Sequence, residues 1–186
     1  MNSMARWLRC SRSPKGFTLI ELSTVVSIVG VLATIGMPGL IGGIQRTGAD
    51  GASRQLTEDI RLTHHTSFSR GYPTRIIIFN SSGVAQNPTG ADLTDTTKAN
   101  MYRVEMRAGS SWPALSQTRS TTADVLTDWN NLPSNFRGVT VTTGRVIAFN
   151  PQGFLADSAA SLDATVQGVG GTKTVRTSVI GKATIQ

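Results

Sequence analysis

The sequence predicts an α+β fold in which one long N-terminal helix lies against an antiparallel β-sheet globular domain. Three observations lead there. Residues 22–44 carry no charge, and as a helix they extend about 35 Å at about 1.5 Å per residue, enough to cross a bilayer. Beyond them Ala52, Leu56 and Ile60 recur on one helical stripe, with Arg54, Glu58, Asp59 and Arg61 mostly off it. After residue 73 the pattern changes to short β-branched runs separated by Gly, Asn and Pro turns.

The first element to justify is what precedes the helix. The formal charge of +7 is uneven: Arg6, Arg9, Arg12 and Lys15 lie in the first 16 residues with no acid among them. Subtracting those four from 18 basic side chains leaves 14 against 11 acidic, a balance of +3. That is far short of the clustered basic face that phosphate binding needs. The single cysteine, Cys10, lies in the same leader, so the rest of the chain folds on core packing without an internal disulfide.

Residues 17–44 read as a transmembrane helix. The basic leader should remain in the cytoplasm and the rest of the chain outside. A secretory signal peptide cut near Val31-Leu32-Ala33 is the rival reading, but its apolar core would be unusually long and is interrupted by Glu21. A carboxylate in such a helix costs on the order of 3 kcal/mol and normally has a partner. Glu21 either snorkels to the interface near Lys15, or its partner is made by proteolysis. A cut between Gly16 and Phe17 would create a positive α-amine one helical turn below Glu21, in the same subunit or a neighbouring one.

Further along, Pro38 removes a backbone donor, and Gly36, Gly39, Gly42, Gly43, Gly48 and Gly51 surround it. Each interior glycine weakens a helix by about 1 kcal/mol relative to alanine. Residues 36–51 should therefore kink or melt readily, with Pro38 and Gly39 as the flexible point. Gly39 and Gly43 form a GxxxG pair, a weaker sign of helix packing. The helix then continues to about residue 69, and the globular domain takes in residues 45–186.

Strands are expected at 74–79, 101–106, 139–141, 145–149, 174–180 and 183–185, with 101–106 alternating as a half-buried strand should. Turns fall at Asn80-Ser81-Ser82-Gly83, Asn150-Pro151-Gln152-Gly153 and Gly170-Gly171. Residues 80–100 and 109–124 are poor in large apolar side chains and should be long exposed loops.

No catalytic constellation emerges from this chain, and the reading is a non-enzyme without cofactors. His64 and His65 are adjacent, so in a helix they point about 100° apart, and no further His or Cys completes a metal site. The acids Asp92, Asp95, Asp124, Asp128, Asp157 and Asp163 show neither a triad nor EF-hand spacing. Trp112 and Trp129 are expected in the core rather than as base-stacking platforms.

Gly16, followed by Phe17-Thr18-Leu19-Ile20-Glu21 and a long apolar helix, resembles the class III prepilin signal. The resemblance implies a leader of residues 1–16, removed by a prepilin peptidase that cuts after Gly16 and methylates the new N-terminal Phe17. It also implies that Glu21 registers subunits during filament assembly. More loosely, "RQLTEDIRLTHHTSFSRGYPTRIIIF", "VIAFNPQGFL" and "RTSVIGKATI" resemble the GspH/FimT family of minor pseudopilins and minor pilins. That resemblance implies a pilin-like fold and a structural role at the tip of a type II secretion pseudopilus, in protein secretion. The alternative is a minor type IV pilin of FimT/FimU type acting in pilus assembly, with DNA uptake as an added role.

The implied partners are the peptidase, other pilins or pseudopilins, the inner-membrane assembly platform and, before assembly, membrane lipid. The implied location is the bacterial inner membrane, spanned once, with the N-terminus cytoplasmic and the C-terminal domain periplasmic until it enters a periplasmic or surface filament. Family members that take up DNA use a Gly-Arg-x-Arg motif. Here Gly181-Lys182-Ala183-Thr184 stands in its place, which leaves Lys182 as the one weak DNA contact and makes DNA an unlikely partner.

Overall fold

The computed structural model describes residues 16–88, 90–157 and 161–186, with the side chains of 35–46 outside the description. The basic leader through Lys15, with Cys10, lies outside the described residues. The chain divides into two units, Met1–Ile41 and Gly42–Gln186.

Helix α1 spans Leu19–Arg70 and is assigned continuously through Pro38 and Gly39. In the first unit its apolar side chains are exposed on every side, as at Leu22, Val25, Val26, Ile28 and Val29. Among the described residues, no helix is long and apolar enough to cross a membrane. The apolar stretch expected over 17–44 continues past Thr34 into residues whose side chains are outside the description.

In the second unit α1 becomes amphipathic. Ala52, Leu56 and Ile60 are fully buried, and each buried Leu or Ile side chain contributes about 1.5–3 kcal/mol. Thr57 and Thr63 lie on the same buried face without leaving an orphan hydroxyl, because each donates to the carbonyl four residues back, at 2.7 Å and 2.6 Å. The helix ends where Gly71, at φ 67°, donates its N–H to the Ser67 carbonyl, the left-handed stop that favours glycine.

Two four-stranded antiparallel sheets and a small hairpin follow. Strands β1 (Thr74–Ile78), β4 (Met101–Met106), β5 (Asn130–Asn131) and β7 (Arg145–Phe149) form the first sheet, in the order β5-β4-β1-β7. Strands β6 (Thr140–Thr143), β8 (Ser161–Gly168), β9 (Gly171–Ser178) and β10 (Ala183–Ile185) form the second, in the order β10-β9-β8-β6. Strands β2 (Val84–Ala85) and β3 (Leu93–Thr94) pair with each other, and a short helix α2 covers Leu132–Asn135. The expected single sheet is thus two. Strand β8 had no signal in the sequence because Leu162, Ala164 and Val166 alternate with Asp163, Thr165 and Gln167, a composition with few large β-formers.

The main core joins α1 to both sheets: Leu56 and Ile60 share one cluster with Ile76, Tyr102, Val104 and Ile147 of the first sheet and with Leu162, Val166 and Val175 of the second. The central strand β1 is buried on both faces. Its other face puts Ile77 with Phe79, Ala85 and Val146, packed against Leu93, Leu115 and Trp129. Here two expectations are corrected. The loops at 80–100 and 109–124 do not simply stand exposed, since residues of both cover this second face. The strand at 101–106 is not half-buried, because Arg103 and Glu105 on its polar side are fully buried beneath that cover.

Candidate functional site

Gly16 and Phe17 form an exposed entry to α1, ahead of its first turn. A Cβ built on Gly16 would meet nothing within 4 Å. The chain's own fold therefore places no demand for glycine at this position. Phe17 and Leu19 are both 86% exposed, so the bond between Gly16 and Phe17 lies open to an enzyme.

The first turn of α1 is locked by its own side chains. Thr18 precedes the helix, and its hydroxyl accepts the Glu21 N–H at 3.3 Å. In return Glu21 Oε2 accepts the Thr18 backbone N–H and the Thr18 hydroxyl, each at 2.9 Å. Thr-x-x-Glu is a capping box, in which two otherwise orphan donors at a helix start are satisfied reciprocally. Glu21 therefore has partners within the isolated chain, and none of them requires Lys15 or a new amine. The Thr18 N–H is a peptide group that survives a cut between Gly16 and Phe17.

The polar residues further along the apolar segment are handled in the same local way. Ser23 and Thr24 both donate to the Ile20 carbonyl, at 2.9 Å and 2.8 Å, Ser27 donates to Ser23 at 2.8 Å, and Thr34 to Val31 at 2.7 Å. Hydroxyls bonded into their own helix present no unsatisfied group to an apolar environment. The surface left for a partner is then apolar on all sides, which fits lipid or other helices and does not fit water.

The other residues singled out in the sequence lie elsewhere. Pro38 and Gly39 are inside α1, their side-chain surroundings outside the description. Lys182 is exposed in the turn between β9 and β10 and makes no ion pair among the described residues. The nearest basic residue in sequence, Arg176, is bound by Asp163 through two bonds of 2.9 Å and 2.8 Å. The histidines do not act as a pair: His65 is exposed, whereas His64 stands edge-on to Phe149 at 5.4 Å. Among the described residues, no group of His, Cys, Asp and Glu could hold a metal ion.

Besides the Thr18–Glu21 box, two polar arrangements escaped the sequence reading. Asp59 accepts the Tyr102 hydroxyl at 2.5 Å, and that hydroxyl in turn accepts from Asn130 at 2.8 Å. Burial pushes the Asp59 carboxyl up, with the tyrosine bond opposing, and burial likewise pushes the Tyr102 phenol well above its usual value. The second is a buried carboxylate shared by two guanidiniums. Arg75 Nε and Arg103 Nε donate to separate oxygens of Glu105, at 2.7 Å and 2.5 Å. Arg103 also donates to the carbonyls of Ala114, Leu115 and Gln117, which pins that loop to the sheet. Only the strict alternation of Arg103 and Glu105 in β4, facing Arg75 in β1, hinted at this.

Comparison with known families agrees with the geometry of the N-terminal turn. The prokaryotic N-terminal methylation motif matches residues 11–37, a stretch that holds Gly16, Phe17 and Glu21. The chain is type IV pilin-like at this end, and the motif implies processing by a prepilin peptidase and membrane-anchored assembly with other pilins. No solved structure matches the chain.

Proposed function

We propose that the chain is a minor pseudopilin of the GspH/FimT kind, a non-catalytic structural subunit that helps to start a type II secretion pseudopilus at its tip. The observation that carries this reading is the methylation motif on a self-capped helix whose apolar surface is exposed all round. A helix of that kind is stable as a unit and needs an apolar partner, first lipid and then its neighbours in a filament. The processed helix, residues 17–44, spans the inner membrane with its start on the cytoplasmic side, and the domain of residues 45–186 is displayed on the periplasmic side.

The preference for secretion over a DNA-handling pilus rests on the lone Lys182, whose neighbour Arg176 is already committed to Asp163. One free cation on a turn supplies little of the counterion release that drives DNA binding. Deleting the gene and measuring secreted proteins and surface pili in the same cultures tests the reading. Lost secretion with pili intact is expected; lost pili with normal secretion would make the chain a minor type IV pilin instead.

Glu21→Ala tests the assembly step separately. The variant should still be cut after Gly16 yet enter filaments poorly, because the mature α-amine loses its carboxylate in a low-dielectric core. Filament incorporation at the wild-type level would remove Glu21 from assembly.

A further inference from the structure

The face of the first sheet turned away from α1 carries more positive charge than its carboxylates balance. Arg75 and Arg103 share the single carboxylate of Glu105, and the Arg107 guanidinium lies close enough to add its own positive charge to that felt by Arg75. Arg103 is saturated by Glu105 and by three loop carbonyls. Arg75 is only 7% exposed and spends Nε and Nη2 on the same Glu105 oxygen, both at 2.7 Å. Its Nη1 has no hydrogen-bond partner among the described residues. Arg107 makes no ion pair among the described residues; its guanidinium faces the Trp112 ring at 5.2 Å, and that of Arg75 faces the same ring at 4.4 Å.

These two incompletely used cations line one cavity. It has a volume of about 530 Å³, within the range of small-ligand sites. Arg75, Arg107 and Trp112 form its polar side, while Val146 and Ala148, on the face of β7 opposite to Phe149, provide an apolar floor. The floor and the cation are held in register, since Ala148 pairs directly with Arg75 across β7 and β1. The wall is held as well, because the loop that carries Trp112 is tied down two residues later by the Ala114 carbonyl bonded to Arg103. A pocket whose floor and wall are already held in this way loses less on binding.

We infer that this cavity binds a small organic carboxylate, with its two oxygens between Arg75 Nη1 and the Arg107 guanidinium and its apolar body on Val146 and Ala148. Planar guanidiniums match the two-oxygen geometry of a carboxylate. Its desolvated position strengthens the Arg75 interaction relative to a surface arginine. The site lies within the C-terminal unit and does not depend on the assembly reading.

The test is calorimetric titration of the full chain in detergent micelles at low salt with benzoate, and with benzamide and acetate as the neutral and the bodiless comparators. Benzoate should bind about tenfold or more tightly than either comparator, and Arg107→Gln should weaken it by about tenfold. Trp112→Leu, which leaves the Arg75–Glu105–Arg103 cluster in place, should weaken it as well, and near-ultraviolet circular dichroism shows whether each variant keeps its packing. Benzoate and benzamide binding alike, or benzoate binding unchanged in both folded variants, would overturn the assignment.

Discussion

Polar groups are settled in opposite ways at the two ends of α1. At its start, Thr18 and Glu21 satisfy one another within a single turn, and Ser23, Thr24, Ser27 and Thr34 bond back into their own helix. In the head, polar partners come from afar: Tyr102 reaches Asp59, 43 residues away in the chain, and Arg75 reaches Glu105, 30 residues away. The first strategy leaves an autonomous helix with an apolar exterior. The second makes a core whose stability depends on several strands arriving together.

The contrast is sharpest in what each region would tolerate. Gly16→Leu should have the largest effect and no structural cost, since the position is open and exposed. A leader-bearing band should persist on a denaturing gel while the urea midpoint of the head stays unchanged. Normal processing would move the cut site away from Gly16. Glu105→Gln should do the reverse, leaving processing intact and destabilising the head. Removing the charge from a buried pair typically costs about 3–5 kcal/mol, and here two guanidiniums lose their shared carboxylate. A urea midpoint close to wild type, read by tryptophan fluorescence of the full chain in detergent, would mean that Arg75 and Arg103 find other anions.

Gly181→Ala is the next in size. Gly181 adopts φ 76°, and a Cβ there would overlap the His64 ring. Strained backbone of this kind costs of order 1–3 kcal/mol for a non-glycine residue, and the overlap adds to it. The double variant with His64→Ala should recover the overlap part only. Full recovery would show that the backbone angle imposes no penalty, and no loss at all would place His64 away from the turn.

The same division explains what could be read from the chain alone. Local rules reach the apolar segment and the stripe of Ala52, Leu56 and Ile60, because each is set by neighbours within a turn or two; the Thr18–Glu21 box is equally local, but a search for a charged partner for Glu21 passes over it. They also reach β1, whose unbroken Ile76-Ile77-Ile78 run marks a strand buried on both sides. They do not reach the Glu105 cluster. Alternation in β4 reads as one wet face, and only the fold of residues 109–118 over that face turns its charges inward. His64 is missed for a like reason: what shapes its environment is Gly153 and Gly181, both distant in sequence. The Arg107 cavity inherits this non-local origin.

One buried polar atom in the head breaks its own pattern. The Thr177 hydroxyl in β9 is, among the described residues, the one fully buried side-chain nitrogen or oxygen without a hydrogen-bond partner. It lies between Leu162 of β8 and Ala183 of β10 in the pairing register. An unsatisfied buried hydroxyl costs about 1–3 kcal/mol, whereas a methyl group of the same shape costs nothing there and suits a strand. Thr177→Val should therefore raise the stability of the head by about 1 kcal/mol, the smallest of these effects and the only gain. A fall in the urea midpoint would show that the hydroxyl has a partner in the folded protein, and that polar groups are settled throughout the head as completely as in the first turns of α1.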